Sequence, residues 1–421
     1  MTEPAAHAPP RTLSLIGPGI VVAATGVGAG DLVATLVAGS RFGYALLWAA
    51  LIGTVLKIAL AEGVGRYTLA SGRTVFEGWS GLPGPRLGRL NWAGAYFGLY
   101  AVVWGFVYGA AAMTASALPL TALFPALDLK TWGMISGVLG LGLVMIGGYG
   151  LFEKIMTALV GIMFVTVVGL AVLVAPDVPR LLTGVWPTLP GDSGFYVLGL
   201  IGGVGGTITM AAYGYWLAAK GWKGPAFIAL MRIDNRIAYA VTGLFVVAML
   251  IVGAELLHAS GTALQSGDRG LLDLGKVLED RFGRPVAIGF LVGFWATSFS
   301  SLIGVWQGVS LMFADFAAHL AGRAEDPAVR GPRSPAFIAY ALWLTFPPMA
   351  LLFIDRPFAL IVAYGALGSL FMPFLAGTLI WLLNSARTPV EWRSGWISNG
   401  LLAAAAALFL VLAGREITGL L

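Results

Sequence analysis

Asp31 has the setting that most invites chemistry in this 421-residue chain. It follows Gly26, Gly28 and Gly30 in the middle of a long apolar run. A carboxylate at such depth costs roughly 2.5–3.5 kcal/mol on insertion scales, so residues of this kind face a cavity or a partner and mark an ion or substrate path. The glycines free backbone carbonyls to join it as oxygen donors, and Asp31 can also cap the half-helix that follows. Lys57 lies about midway along the next apolar run, roughly one helical turn nearer the cytoplasm than Asp31. A buried ammonium there needs a partner, and two readings stand: a direct or water-bridged pair with Asp31, or snorkelling toward the inner interface. A second glycine cluster, Gly202, Gly203, Gly205 and Gly206, precedes Thr207, Thr209, Met210, Tyr213 and Tyr215. A thioether is a soft donor suited to transition metals over magnesium or calcium, which makes Met210 a candidate ligand, although most membrane methionines only pack. Ser298, Ser300, Ser301 and Gln307 form a polar strip that lines a cavity or bonds to backbone carbonyls. Glu62, Glu153, Asp315 and His319 fall near the ends of apolar runs and read as interfacial.

The elements that must position these groups are membrane helices. Apolar residues make up 58% of the chain and charged residues 11%, against about 25% charged in a soluble domain. The chain therefore lacks the polar atoms to coat itself in water. Spans of roughly 20 apolar residues are legible at 13–39, 43–69, 92–119, 131–150, 152–175, 194–218, 236–257, 285–314, 334–354, 357–383 and 396–414. The connections are too short for a soluble domain, so one membrane domain is expected over 1–421. Within it, 1–12 is a short cytoplasmic N-terminus with no signal-peptide cleavage pattern. Two repeats follow over 13–175 and 194–383, with an extra helix over 396–414. The excess of Lys and Arg in alternate connections, Arg66, Arg73, Arg86, Arg89, Lys220, Lys223, Arg232 and Arg236 among them, sets the N-terminus inside and the C-terminus outside.

Glycine clusters at the centres of spans 1 and 6, five helices apart, predict two unwound helices at matching points of an inverted repeat. That is the sequence pointer to a transporter's central site; close helix packing is the plainer reading of the same glycines. A dinucleotide fingerprint is excluded because no strand precedes either cluster. The absence of cysteine removes disulfides, thiolate sites and thiol nucleophiles, and His7, His258 and His319 are too few for a multi-histidine centre. No nucleophile–base constellation appears, so an enzyme is not expected, nor is a resident cofactor. The net charge of +5 reads as topology signal and not as nucleic-acid affinity.

Gly17-Pro18-Gly19, the broken first helix, and the run Ala38-Gly39-Ser40-Arg41-Phe42-Gly43-Tyr44-Ala45-Leu46-Leu47-Trp48 resemble the Nramp family of divalent-metal transporters. Leu189-Pro190-Gly191, Arg232-Ile233-Asp234, Leu257-His258, Ser300-Ser301 with Gly304, and Met372-Pro373-Phe374 extend the likeness over nearly the whole chain. The resemblance implies an all-α integral membrane protein of leucine-transporter type: a five-plus-five inverted repeat with helices 1 and 6 broken and about eleven transmembrane helices. Its metal site departs from the family's. Where the family carries Asp-Pro-Gly-Asn in helix 1, this chain reads Gly28-Ala29-Gly30-Asp31, so one carboxylate is lost and one is gained about a turn away. Where helix 6 carries Met-Pro-His, it reads Met210-Ala211-Ala212. The family's helix 3 acids have no counterpart in 92–120, and its helix 10 glutamine aligns with Gly365.

The expected function is a secondary transporter or uniporter for a divalent cation such as manganese, working by alternating access, with proton coupling in doubt. The expected ligands are Asp31, Met210 and, by the resemblance, the Gly28 and Thr207 carbonyls. Lys57, Tyr213, Ser300 and Ser301 are further candidates along the substrate path. The rival expectation keeps the fold and moves a small organic solute bound near Asp31 and Lys57. The expected partners are the transported ion or solute and the lipid bilayer, the expected location is a bacterial inner membrane, and no nucleic acid and no obligate protein partner are expected.

Overall fold

The computed structural model describes residues 17–191, 193–203, 206–258, 268–354 and 357–420. The expected N-terminal segment 1–12, Gly205, and the side chains of Asp31 and of 357–366 in the tenth span lie outside the described residues. Among the described residues the regular structure is helical apart from one tiny hairpin, β1 (Arg86–Leu87) with β2 (Leu90–Asn91), closed by Gly88 at φ 60°. Among the described residues eight helices are long and apolar enough to cross a membrane. Two further crossings are interrupted ones, and a last one includes the apolar stretch Leu370–Asn384.

The first crossing is α1 (Pro18–Gly26) followed by α2 (Ala29–Phe42). Pro18 opens α1, where a missing N–H costs nothing, and the helix stops because Val27 turns to extended φ −93°, ψ 103°. Gly43, at φ 57°, ends α2 with its N–H on the Gly39 carbonyl at 2.9 Å. Next comes α3 (Leu47–Ser71), closed by Gly72 at φ 69°, and a capping box of Thr74 with Glu77 that starts α4 (Val75–Ser80). Asn91 caps α5 (Trp92–Leu123) and Asp128 caps α6 (Leu129–Ile146); α7 (Tyr149–Leu173) and the short α8 (Val178–Thr183) complete the first half.

The sixth crossing breaks as the first does. α9 (Gly194–Gly203) ends in the glycine cluster, Gly206 takes φ 90°, a 3-10 turn covers Ile208–Ala212, and α10 (Tyr213–Ala219) resumes. α11 (Ile228–Gly253) runs into a π turn at Ala254–His258. α12 (Asp268–Phe282) and α14 (Pro327–Arg330) flank the 38-residue α13 (Arg284–Ala321). α15 (Pro335–Met349), α16 (Pro357–Asn384) and α17 (Trp396–Leu420) follow.

Small residues set the close crossings, as they do where lipid offers no hydrophobic drive. Gly39 of α2 faces Gly253 of α11; a Cβ on Gly253 would stand 2.5 Å from the Leu36 carbonyl oxygen. The expected spans map onto these helices with shifts of a few residues, α13 running well past 314. The connections are more structured than apolar runs alone suggest, since α4, α8, α12 and α14 lie in them.

Asp315, read as interfacial from its place near a span end, is more than a solvated charge there. Its side chain is fully buried at the α13 end, 2.8 Å from Arg330 Nε, and Thr74 and Tyr215 donate to Oδ2 at 2.7 and 2.6 Å. Arg330 also reaches Glu77 at 2.7 Å. Four elements, α4, α10, α13 and α14, are thus tied around one carboxylate. Proximity to a span end says nothing of what packs over that end, so these partners were not legible in the sequence.

Candidate functional site

The two broken helices meet at their breaks. The Gly206 N–H donates to the Gly26 carbonyl at 3.0 Å, so the interruption of the sixth crossing is hydrogen-bonded to the interruption of the first. Gly206 is required for this approach twice over. Its φ of 90° suits glycine, and a Cβ there would stand 3.0 Å from Thr209 Oγ1 and 3.2 Å from Gly26 Cα.

Met210 is fully buried on this joint, its Cγ 3.5 Å from where that Cβ would sit. The Thr207 carbonyl accepts the Met210 N–H at 3.1 Å, and the Gly28 carbonyl accepts the Leu32 N–H at 3.2 Å. A carbonyl has two lone pairs, so the Thr207 oxygen can accept a second donor or an ion. Gly368 of α16 packs on Thr207, where a Cβ would lie 3.0 Å from Thr207 Cγ2. Asp31 is in the first turn of α2, placed there by the restart of the helix at Ala29; its carboxylate lies outside the described side chains. Among the described residues no three His, Asp or Glu side chains cluster as a metal site.

Lys57 reaches the same joint. It is the eleventh residue of α3, roughly 15 Å along the helix axis, and is wholly buried. Its Nζ donates to the Gly206 carbonyl and lies 5.3 Å from the centre of the Phe409 ring on α17. The snorkelling reading is thereby corrected: the ammonium turns inward to a freed carbonyl because the joint offers an acceptor at its own depth.

Of the other candidates, Ser301 touches the break and Ser300 does not. Ser301 Oγ donates to the Thr25 carbonyl at 2.8 Å, in the last turn of α1, where a helix end leaves acceptors over. Tyr108 of α5 bonds to the same hydroxyl at 2.9 Å. Ser300 folds back on the Thr297 carbonyl at 2.9 Å, and Gln307 accepts from Trp216 Nε1. Tyr213 is directed to Asp234, its hydroxyl 3.3 Å from Oδ2.

Two features of this region were missed in the sequence. Asp234 of α11, buried, accepts the Gly19 N–H at 2.6 Å and so caps α1 from another helix. Gly17 and Gly19 allow it, since a Cβ on either would lie 2.7 Å from the carboxylate. The second is an aromatic ladder on α5. Tyr96, Tyr100, Trp104 and Tyr108 stack in series with centroids 5.9, 6.2 and 4.5 Å apart. Tyr96 and Tyr100 donate to the Leu370 and Leu367 carbonyls of α16 at 2.9 and 3.1 Å. The signal was there as four aromatics spaced by one helical turn. Asp234 lay outside every expected span and left none.

A family model described as natural resistance-associated macrophage protein-like, Nramp, matches residues 19–418. The chain belongs to the Nramp family. A Mycobacterium tuberculosis protein named divalent metal cation transporter MntH is 28% identical over 312 residues, 71% of this chain and 69% of that protein. A solved structure of the Eremococcus coleocola manganese transporter, bound to an aromatic bis-isothiourea compound, superposes with a TM-score of 0.77. It covers 98% of this chain and 90% of its own at 15% identity. Mhp1, a nucleobase-cation-symport-1 transporter, aligns at TM-score 0.60 and 14% identity, over 99% of this chain and 95% of its own. At such identities the structures speak for the fold, which in this Nramp chain is the leucine-transporter type with helices 1 and 6 broken.

Proposed function

We propose that this Nramp protein carries a divalent metal cation, manganese in preference to magnesium or calcium, across the membrane by alternating access. The cargo would sit at the joint of the broken helices. Asp31 supplies the charge, Met210 the soft donor, and the Gly28 and Thr207 carbonyls the remaining oxygens. The observation that carries this reading is the Gly206-to-Gly26 hydrogen bond with Met210 buried on it. Freed carbonyls and half-helix ends are how broken helices hold ions, and a thioether favours transition metals. The family is one of transporters, and the relative named a divalent metal cation transporter supports the cargo class. The N-terminus is inside and the membrane a bacterial inner one, with the single domain built of the two repeats and an added helix.

Flux is not coupled to protons in this reading. α5 carries no acidic residue, and its face toward α16 is the aromatic ladder. Manganese uptake into proteoliposomes should proceed down its own gradient. An imposed pH gradient should neither drive accumulation nor be dissipated by manganese; accumulation against a manganese gradient under acid outside would defeat the uncoupled reading.

A second reading is kept by one observation. The Lys57 ammonium lies on the joint, where it suits the carboxylate of a small organic solute as readily as it opposes a dication. Such a solute would raise the melting temperature of the protein in the presence of a chelator, and a metal would not.

A further inference from the structure

We propose that the Lys57 ammonium is a tethered monovalent cation, holding at the joint of the broken helices the place that a free sodium-like ion would otherwise occupy. Three observations converge on it. The Nζ is bonded to the Gly206 carbonyl, and the N–H of the same residue is bonded to the Gly26 carbonyl, so the ammonium and the link between the two breaks meet on one residue. α1 ends at Gly26 and α9 ends at Gly203; both present the negative end of a helix dipole toward this region. Freed carbonyls together with half-helix C-termini are the groups that hold coupling cations in transporters of this build. Finally, Phe409 of α17, a helix outside the two repeats, sets its ring face 5.3 Å from the Nζ, a contact that favours a cation over a neutral amine.

An ordinary inter-helix tie needs only a donor. Here a carbonyl, helix ends and a ring face together recognise positive charge on an arm fixed to α3. The consequence is that the joint is pre-loaded: the cycle proceeds with no free monovalent cation, and removing the arm creates a vacancy that a small cation fills. The inference goes beyond the divalent-cargo reading and rests on it for the flux measurement alone.

The test is chemical rescue of Lys57→Ala in the purified full-length protein. Melting is followed in choline chloride, sodium chloride and methylammonium chloride at equal ionic strength. The wild type should melt alike in all three. Lys57→Ala should melt lower in choline and recover several degrees, saturably, in sodium or methylammonium. In proteoliposomes its manganese uptake should fall by an order of magnitude in choline and return with the rescuing cation. A mutant indifferent to the cation, or a wild type showing the same shift, overturns the proposal. If Lys57→Ala aggregates in every medium, Lys57→Met and Lys57→Arg decide. Wild-type stability in the neutral Met variant overturns the proposal, whereas loss in Met with retention in Arg supports it. Should the wild type move no manganese, the cargo reading fails while the melting comparison still judges Lys57.

Discussion

Gly206→Ala perturbs the joint without touching charge, and its cost can be worked from the geometry. A residue with a Cβ at φ 90° pays about 1–2 kcal/mol for left-handed backbone. The new atom would press on Thr209 Oγ1 at 3.0 Å and Gly26 Cα at 3.2 Å, so the two breaks must separate by a few tenths of an ångström. That separation weakens the 3.0 Å Gly206-to-Gly26 hydrogen bond, worth about 0.5–1.5 kcal/mol net. Together the change removes up to about 3.5 kcal/mol and no less than the backbone cost of about 1, concentrated where Met210 and Lys57 meet the backbone. In thermal unfolding by intrinsic tryptophan fluorescence, the midpoint should fall by several degrees. In titration calorimetry, manganese binding should weaken with it. Gly142→Ala on α6 is the control, because a Cβ there meets nothing within 4 Å and a helix interior favours alanine over glycine; it should leave binding unchanged and not lower the midpoint. Wild-type melting and wild-type binding in Gly206→Ala would refute the claim that this contact sets the site.

Other perturbations test the surrounding supports. Ser301→Ala takes the hydroxyl from the Thr25 carbonyl and from Tyr108; leaving buried partners short costs about 1–3 kcal/mol, read as a lowered midpoint, and an unchanged one would count against the bond. Asp234→Ala removes the cap on α1, a loss of about 0.5–2 kcal/mol. Because the chain has no cysteine, a single Ala24→Cys reporter should then react faster with a membrane-impermeant thiol reagent from the cytoplasmic side. Equal labelling rates with and without Asp234 would contradict a role for this cap in holding α1 in place. In the flux assay, uptake by the wild type should be unchanged when the pH gradient is collapsed with an ionophore.

Both breaks could be read in the sequence, for a physical reason. Gly26, Gly28 and Gly30, and then Gly202 to Gly206, interrupt spans whose apolar length was otherwise sufficient, and their matching places five helices apart favoured breaks over close packing alone. Met210 was legible as a soft donor beside a break. Lys57 was half legible: its depth was plain, but its acceptor is a carbonyl freed by the fold of a distant helix, and no local pattern encodes that. Asp234 and Asp315 escaped for the same reason, since their partners come from Gly19, Tyr215, Thr74 and Arg330, remote in sequence. The α5 ladder was visible as spacing; its register against the α16 carbonyls was not.

The central claim is a dication held at the joint, and calorimetric titration of the purified, monodisperse protein with manganese, magnesium and calcium tests it most directly. The account predicts saturable manganese binding tighter than that of the other two ions, abolished in Asp31→Ala and weakened roughly tenfold, about 1.4 kcal/mol, in Met210→Ala. No manganese binding by the wild type, or binding retained by both variants, would contradict it.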